Sequence, residues 1–457
     1  MSSREGEGRE QRSSAQPRPE HGGGIMPTAQ DFVIKPLGEC RISSPLNLPE
    51  TLYELDEARV RYAAEIPNET DAPENVSFEK AGPRRKIFFD PAETKAAIVT
   101  CGGISPGLND VIRAIVMQLY YKYGVRNILG IQYGYKGLNP SNWLEPLRLL
   151  PDDVEGIHEL GGTILGSSRG HEDPVVMVNT LEKLSINMLF CIGGDGTLRG
   201  AHVIAEEVER RSLAIAIIGI PKTIDNDIGY VEKTFGFDTA VSEAHQALQC
   251  AHVEARGAQN GIGLVKVMGR DSGFIAAHAT LANLDANFTL IPEVPFDMVG
   301  KGGFLDMLEQ RLKKRHHAVI VVAEGAGQEF FQGADEKDAS GNILHKDIGV
   351  FLRDEITKYF KAKNLPITLK YIDPSYMIRS VAANASDSIF CAHLGRNAVH
   401  AAMAGKTDMI VGLWHDLFTH VPIPVTTSTR KKISPDSFLW LSVLESTGQP
   451  LSMKCQA

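Results

Sequence analysis

Short apolar runs alternate with helical patterns along the chain from about residue 95 onward. The runs that predict strands cover residues 95–100, 128–132, 188–192, 213–220, 263–268, 288–291 and 318–323. Helical patterns follow several of these runs, including one at 198–210. Near-continuous apolar strands separated by helices are typical of parallel sheets that carry helices on both faces. The pattern therefore predicts an α/β fold in which ligands bind at the carboxyl ends of the strands.

The segments outside this alternation have a different character. Residues 1 to about 30 have low hydrophobicity and mixed charge, which predicts a disordered tail. Residues 31–92 hold several prolines and scattered apolar side chains such as Phe32 and Phe78, which predicts an extension lying against a core. The polar stretch 328–343 predicts a surface loop inserted after a strand.

Composition narrows the class of protein. A chain of 457 residues with 43% hydrophobic residues is long enough for two or three domains. The net charge of −9 argues against a nucleic-acid-binding surface. The longest apolar run is about half of the ~20 residues that a membrane-spanning helix needs, and the first residues lack the apolar core of a secretory signal. The six cysteines form no C-x-x-C pair, so we expect no disulfide framework, no zinc site and a reducing, cytoplasmic location.

The first of two aspartate-containing loops is Gly193-Gly194-Asp195-Gly196-Thr197, directly after an apolar run. Its glycines let the main chain approach an anion closely, and Asp195 is a carboxylate that can hold Mg²⁺. The alternative is an ordinary strand-to-helix turn in which Asp195 caps the helix. The chain lacks G-x-x-x-x-G-K-[ST], which excludes a Walker-type nucleotide site.

The second loop is Pro221-Lys222-Thr223-Ile224-Asp225-Asn226-Asp227. Asp225 is a candidate general base, and Thr223 a candidate for orienting an acceptor hydroxyl. Asp227 can help bind metal or shift the pKa of Asp225. The alternative is a turn rich in Asp and Asn, which would not require so many carboxylates at a strand end.

Four further features carry weaker signals. Gly102 begins a Gly-Gly turn between a strand and a helix, a position suited to phosphate but also common in plain turns. Arg169 and Arg270 lie in glycine-containing loops, and arginine pairs with phosphate oxygens. Glu324 at a strand end can bind sugar hydroxyls or simply begin a helix. The segment 370–379 offers a lysine, a tyrosine and an arginine for a phosphate that is held, or forms a surface turn.

Taken in order, these motifs resemble 6-phosphofructokinases, especially the long plant and kinetoplastid forms, over about residues 93–430. The resemblance rests on Thr100-Cys101-Gly102-Gly103, Pro106-Gly107-Leu108-Asn109, the two aspartate loops, Gly236-Phe237-Asp238-Thr239-Ala240, Val267-Met268-Gly269-Arg270-Asp271-Ser272-Gly273 and Tyr376-Met377-Ile378-Arg379. It implies two similar three-layer αβα domains with mainly parallel sheets, an active-site cleft between them and an N-terminal extension. The implied division is 1–92 for the extension, 93–236 with 378–430 for an ATP-binding domain, and 237–377 with 431–457 for a sugar-phosphate domain.

The resemblance also implies an activity: phosphorylation of fructose 6-phosphate at its 1-hydroxyl, the committed step of glycolysis. The residues that it implies for ATP are Gly102, Arg169, Gly170, Gly194, Asp195, Gly196 and Thr197, with Asp195 holding Mg²⁺. Those that it implies for fructose 6-phosphate are Thr223, Ile224, Asp225, Met268, Gly269, Arg270, Glu324, Lys370, Tyr376, Met377, Ile378 and Arg379. Asp225 would be the base, with Thr223 and Arg270 assisting catalysis. A homotetramer is implied, in which part of the sugar-phosphate site comes from a neighbouring subunit.

Two signals disagree about the phosphoryl donor. Pyrophosphate-dependent members of this family have a first loop that resembles G-G-D-D, and they carry lysine in the second loop, P-K-T-I-D-N-D. This chain has Gly196 at the fourth position of the first loop, as ATP-dependent members do, together with Lys222 in the second loop. Aspartate in place of Gly196 would add bulk and negative charge where ATP must pass, so we favour ATP. The alternatives are a pyrophosphate-dependent enzyme, a different sugar or nucleotide kinase, and a regulatory paralogue without catalysis. Gly261 stands where short bacterial forms place an arginine that reaches across the subunit interface, so that contact is absent or another residue provides it.

Overall fold

The computed structural model describes residues 27–64, 76–331 and 344–455. Most of the predicted disordered tail and of the predicted loop at 328–343 therefore lies outside the described residues. The strands are β1 (Lys35–Pro36), β2 (Ile42–Ser43), β3 (Arg59–Arg61), β4 (Ser77–Lys80), β5 (Lys86–Ile87), β6 (Lys95–Thr100), β7 (Asn127–Ile131), β8 (Leu147–Arg148), β9 (Met188–Gly193), β10 (Ala216–Pro221), β11 (Gly261–Val267), β12 (Phe288–Leu290), β13 (His317–Ala323), β14 (Thr368–Ile372), β15 (Lys406–Thr407), β16 (Met409–Trp414) and β17 (Leu417–Pro422).

The helices lie mostly between these strands. They are α1 (Leu108–Met117), α2 (Pro174–Lys183), α3 (Asp195–Arg210), α4 (Phe237–Arg256), α5 (Phe274–Asn283), α6 (Phe304–Arg315), α7 (Ile348–Ala362), α8 (Met377–Ser380), α9 (Ala385–Met403), α10 (Ile423–Ser428) and α11 (Phe438–Thr447). A π-helical segment continues α1 over Gln118–Tyr123, and short 3-10 helices occupy Ala29–Phe32, Glu50–Leu52, Gly134–Leu138, Pro140–Asn142, Asp152–Val154, Ile157–Glu159 and Gln328–Phe330. In the described part of the chain, no helix is long and apolar enough to cross a membrane.

The larger sheet has the strand order β3-β4-β17-β16-β10-β9-β6-β7-β8. Its five central strands, from β16 to β7, pair in parallel, and the flanking pairs are antiparallel. Alternate side chains of a strand point to opposite faces, so Ile98 packs with α1 and α9 while Val99 packs with α2 and α3. Burial on both faces explains why these strands are continuous apolar runs in the sequence.

The smaller sheet has the order β12-β13-β11-β14, and all its pairs are parallel. One face packs against α4, α5 and α11, and the other against α6 and α7. Each sheet is thus the middle layer of an α/β unit, as predicted for the fold class. The predicted domain boundaries remain a prediction, because sheet membership does not define where a domain ends.

The N-terminal extension contacts the larger unit through its strands and two aromatic rings. β4 pairs with β17 and with β3, and β1 pairs with β15. Phe32 and Phe78 are fully buried and meet edge to face, with ring centroids 5.2 Å apart. These contacts bury apolar surface that would otherwise face water at the edge of the sheet.

The observed elements differ from the sequence prediction in several respects. The prediction omitted the short strands β1–β5, β8 and β15, and it also omitted β16 and β17, although β16 is a central strand of the larger sheet. The helix predicted at 198–210 begins at Asp195, so the first aspartate loop is the start of α3 rather than a separate turn. The prediction also omitted β14, whose side chains are only half buried because it is the edge strand of the smaller sheet. An edge strand need not be apolar on both faces and therefore lacks the continuous run that marks the central strands.

Candidate active site

A cleft of about 370 Å³ opens where strands of both sheets reach their carboxyl ends. Its walls come from the segments that follow β6, β9 and β10 in the larger sheet, and β11 and β13 in the smaller one. The predicted site residues that line it are Gly102, Arg169, Gly170, Gly194, Asp195, Gly196, Thr197, Lys222, Thr223, Ile224, Asp225, Met268, Arg270, Glu324 and Arg379. The two aspartate loops therefore face one cavity.

The first loop presents the amino terminus of α3 to this cavity. β9 ends at Gly193, Gly194 is the N-cap, and the helix begins at Asp195. A Cβ at Gly193 would lie 2.2 Å from the hydroxyl oxygen of Thr197, so only glycine allows the helix to start so close to the strand. The amide groups of a first helical turn and the helix dipole together favour an anion.

Gly196 lies one residue further into α3 and has open space beside it. Apart from its two chain neighbours and the backbone of α3 itself, no described heavy atom lies within 4 Å of a Cβ built at this position. The space next to Asp195 is therefore part of the cleft and can admit a bulky phosphate donor.

Lys222 is a buried cation that connects three strand ends. Its backbone N–H donates to the Gly193 carbonyl over 3.0 Å, and its Nζ donates to the Gly103 carbonyl over 2.7 Å. Burial lowers the pKa of Lys222 to about 8, and the nearby Asp225 carboxylate opposes that shift. This lysine thus fixes the turn after β6 against the loops after β9 and β10.

Asp225 is held by main-chain contacts while part of its carboxyl group stays unpaired. Its N–H donates to Thr223 Oγ1 over 3.2 Å, and Ser272 Oγ donates to its carbonyl over 3.0 Å. Asn226 adopts a left-handed conformation with φ of 53°, a region that asparagine tolerates well. Asp225 Oδ1 is shielded from solvent and finds no hydrogen-bond partner within the described ranges.

The electrostatic surroundings of Asp225 favour its proton-bound form. Burial raises the pKa of Asp225, and the negative charges of Asp227 and Glu324 raise it further, while Arg270 lowers it. Burial likewise raises the pKa of Glu324, again against the effect of Arg270. A carboxylate with a raised pKa and an unpaired oxygen is a suitable acceptor for the proton of an alcohol.

Two guanidinium groups meet at the turn after β6. A Cβ at Gly103 would lie 3.5 Å from a guanidinium nitrogen of Arg379 and 3.6 Å from one of Arg169. The resemblance implies Arg379 for the phosphate of the sugar and Arg169 for ATP, and the structure brings both side chains to this one turn. Two guanidinium groups at one turn suit a phosphoryl group that carries spread negative charge.

Five other predicted residues do not line this cleft. Lys370 lies on β14 with its Nζ 3.8 Å from Glu254, and Tyr376 and Met377 are more than 70% exposed. Ile378 is fully buried in the core of the smaller unit. The Gly269 carbonyl accepts a hydrogen bond from the N–H of Gly325 over 3.1 Å and joins the loops after β11 and β13.

The sequence interpretation missed Arg430, which also lines the cleft. Its guanidinium lies 3.5 Å from Asp195 and 3.7 Å from Asp227, and it forms an ion pair with Asp271. The only sequence signal was the short basic run 430–432, which is far from every other motif along the chain.

The residues at the cleft fit Mg²⁺ that is bound together with phosphate oxygens. Over the described ranges, no cluster of three or more His, Cys, Asp or Glu residues has the geometry of a metal cage. Mg²⁺ is usually held by one or two carboxylates plus waters and substrate phosphates. Asp195, partly exposed at the helix start, provides such a carboxylate.

Known proteins resemble this chain in sequence over most of its length. The phosphofructokinase family profile matches residues 95–402. A relative named ATP-dependent 6-phosphofructokinase from Borreliella burgdorferi is 54% identical over 437 residues, covering 93% of this chain and 98% of its own length. A relative of the same name from Trypanosoma brucei brucei is 48% identical over 372 residues, covering 81% of this chain and 76% of its own length.

Solved structures show the same fold at lower identity. A crystal structure of a pyrophosphate-dependent phosphofructokinase from Marinobacter aquaeolei matches with a TM-score of 0.64 at 20% identity, covering 78% of this chain and 91% of that one. The family profile and the identity of about half the residues in the curated relatives show that the sequence is similar as well as the fold. The chain belongs to the phosphofructokinase family.

Proposed function

We propose that this protein transfers the γ-phosphoryl group of ATP to the 1-hydroxyl of fructose 6-phosphate, giving fructose 1,6-bisphosphate and ADP. The observation that carries the proposal is that Gly196 leaves room beside Asp195 in the same cleft that holds the unpaired carboxyl oxygen of Asp225. The proposed donor site and the proposed proton acceptor thus line one cleft, which supports phosphoryl transfer between them.

The residues of the donor side would bind ATP through the main chain and through cations. The first turn of α3, from Gly194 to Thr197, offers its amide groups to phosphate oxygens. Arg169, Gly102 and Gly170 line the same cleft and are proposed to contact the phosphates as well. Mg²⁺ bound at Asp195 would neutralise phosphate charge when present.

On the acceptor side, Asp225 would take the proton of the 1-hydroxyl as that oxygen attacks phosphorus. Thr223 orients the loop through the N–H of Asp225, and Arg270 faces both Asp225 and Glu324. Arg169 and Arg270 would stabilise the negative charge that spreads over the phosphoryl group. Met268, Gly269 and Glu324 would hold the sugar.

The remaining sugar-phosphate residues are proposed to act at the border with a second copy. Lys370, Tyr376 and Met377 are exposed in the single chain, and Ile378 anchors their segment in the core. In a homotetramer of the kind that the family resemblance implies, a neighbouring subunit would complete this part of the site. The proposed location is the cytoplasm.

Pyrophosphate is the alternative donor, and Lys222 is the residue that favours it. The Nζ of this lysine already donates to the Gly103 carbonyl, so its charge serves the architecture of the cleft whichever donor binds. The open space beside Gly196 supports ATP as the donor, because an aspartate there would add bulk and negative charge where we propose that the nucleotide binds.

A coupled assay with fructose 6-phosphate tests the proposal. ATP with Mg²⁺ should support turnover, and pyrophosphate should support little or none. Product analysis must show a phosphate on the 1-position. Turnover with pyrophosphate alone would establish the alternative donor. Turnover of other sugars or nucleosides, but not of fructose 6-phosphate, would indicate a different kinase. No turnover on any of them would favour a regulatory protein.

A further inference from the structure

Arg430 is held between the two sheets by contacts on both sides. The backbone of Arg430 forms an isolated antiparallel β-bridge with Ile228. The N–H of Lys431 donates to the Asp227 carbonyl over 2.9 Å. Two residues further on, the N–H of Ile433 donates to Glu293 Oε1 over 3.0 Å. The segment therefore runs from a loop of the larger sheet to the smaller unit, and Arg430 lies at the crossing.

The carboxylates around Arg430 come from both halves of the cleft. Asp195 and Asp227 follow β9 and β10 of the larger sheet, and Asp271 follows β11 of the smaller one. Asp195 has a second cation in Arg199, 3.1 Å away. Asp271 directly follows Arg270 in the chain and pairs with Arg430 across the cleft.

These charges matter because both proposed substrates are anions. Three carboxylates beside the donor site would repel phosphate groups unless a cation offsets them. Leaving one partner of a partly buried ion pair without the other costs far more than the pair itself contributes. An arginine that contacts all three carboxylates also fixes the loop that carries Arg270 against the loop that carries Asp225.

We propose that Arg430 is a positioning residue for phosphoryl transfer, the internal counter-ion of Asp195, Asp227 and Asp271 that joins the donor loops to the sugar loop. Arg430 offsets the carboxylate charge that would otherwise face the phosphates, and it holds Asp271 so that the neighbouring Arg270 faces the acceptor site. This role rests on the proposed function for its kinetic consequences, but the ion pair itself does not depend on that function.

The test compares wild type with Arg430→Met, Arg430→Lys, Asp271→Asn and the double variant Arg430→Met with Asp271→Asn. Arg430→Met should raise KM for fructose 6-phosphate and for ATP by at least about tenfold. Arg430→Lys should lie between wild type and Arg430→Met, because it keeps the charge but loses the fork that reaches three carboxylates. Adding Asp271→Asn to Arg430→Met should recover a large part of the loss, because it removes a carboxylate that has lost its counter-ion. Lys432→Met is the matched control, since Lys432 is an exposed cation on the same segment.

A role in packing alone would not produce such a rescue. The proposal would be overturned if the KM changes of the double variant were the product of those of the two single variants, because the two residues would then act independently. It would also be overturned if Arg430→Met left both KM values unchanged. Thermal unfolding midpoints of the same proteins, measured without substrate, should show the same recovery. They test the ion pair even if Arg430→Met is too unstable to assay. Absence of turnover in the wild type would count against the proposed function and not against this pairing.

Discussion

Gly196→Asp is the substitution that tests the choice of donor most directly. Apart from its chain neighbours and the backbone of α3, a Cβ at Gly196 meets no described atom within 4 Å, so the protein itself accepts the side chain. Gly196 lines the cleft next to Asp195, so we expect the added carboxylate to lie at the cleft. An aspartate in the first turn of α3 also interacts favourably with the helix dipole, which stabilises the fold by about 0.3–1 kcal/mol. Any loss of activity should therefore arise at the ligand and not from misfolding.

The size of the effect follows from Coulomb's law. At a separation of roughly 5 Å and an effective dielectric constant of about 20, one unit of phosphate charge is repelled by about 3 kcal/mol. That energy corresponds to roughly two orders of magnitude in kcat/KM for ATP. The KM for fructose 6-phosphate should change much less, because the residues proposed to bind its sugar follow β10, β11 and β13 and not β9.

The assay measures kcat/KM for ATP and for pyrophosphate in wild type, Gly196→Asp and Gly196→Asn. Asparagine matches the size of aspartate without its charge, so it isolates the steric part, and a thermal unfolding midpoint checks each fold. Equal losses of kcat/KM for ATP in both variants would refute the Coulomb argument, because the volume of the side chain alone would then explain the effect. Unchanged ATP kinetics in Gly196→Asp would remove Gly196 as a determinant of donor choice altogether.

Four further outcomes follow from the site. Asp225→Asn should lower kcat by about two to four orders of magnitude, the scale of a lost catalytic base, and a rapid-quench assay that found near-normal turnover would exclude that role. Because burial and the charge of Asp227 raise the pKa of Asp225, and the base must be ionised, kcat/KM should fall with decreasing pH at values above the usual carboxyl range. Asp227→Asn should move that acidic limb of the pH profile to lower pH, and an unmoved limb would assign the titration to another group. Lys222→Met removes a charged hydrogen bond to Gly103 and should reduce kcat/KM for ATP about tenfold to a hundredfold in steady-state assays, whereas an unaltered value would limit this lysine to a passive part of the wall.

The sequence predicts the central part of the cleft well because that part is built from local units. Each strand, its loop and the helix after it are contiguous, so the apolar run locates the strand and the next few residues locate the chemistry. Neighbouring parallel strands then bring their carboxyl ends together, which is why Asp195 and Asp225 share one cavity once β9 and β10 pair.

Contacts between distant segments are not visible in such local patterns. Arg430 lies 235 residues from Asp195 along the chain, and no spacing rule connects the two. The helix start at Asp195 was also missed, because its first turn consists of glycine, aspartate and threonine and lacks the apolar period. The position of Lys370 also could not be predicted. It lies on the edge strand β14 and contacts Glu254 instead of the cleft of its own chain, and no local sequence pattern shows this.

The order of strands in the two sheets has a consequence for how the chain is made. The smaller sheet uses strands from one continuous stretch, Gly261 to Ile372, whereas the larger sheet needs β3 and β4 near the start and β16 and β17 near the end. During synthesis, the smaller sheet can therefore complete its pairing while the larger one still waits for its last strands to leave the ribosome. Until then β4 and β10 present unpaired edges, the kind of surface on which incomplete chains aggregate. Ribosome-bound chains of increasing length should accordingly gain protease resistance in the 261–372 stretch first, and a larger sheet that became resistant before residue 422 was synthesised would contradict this order.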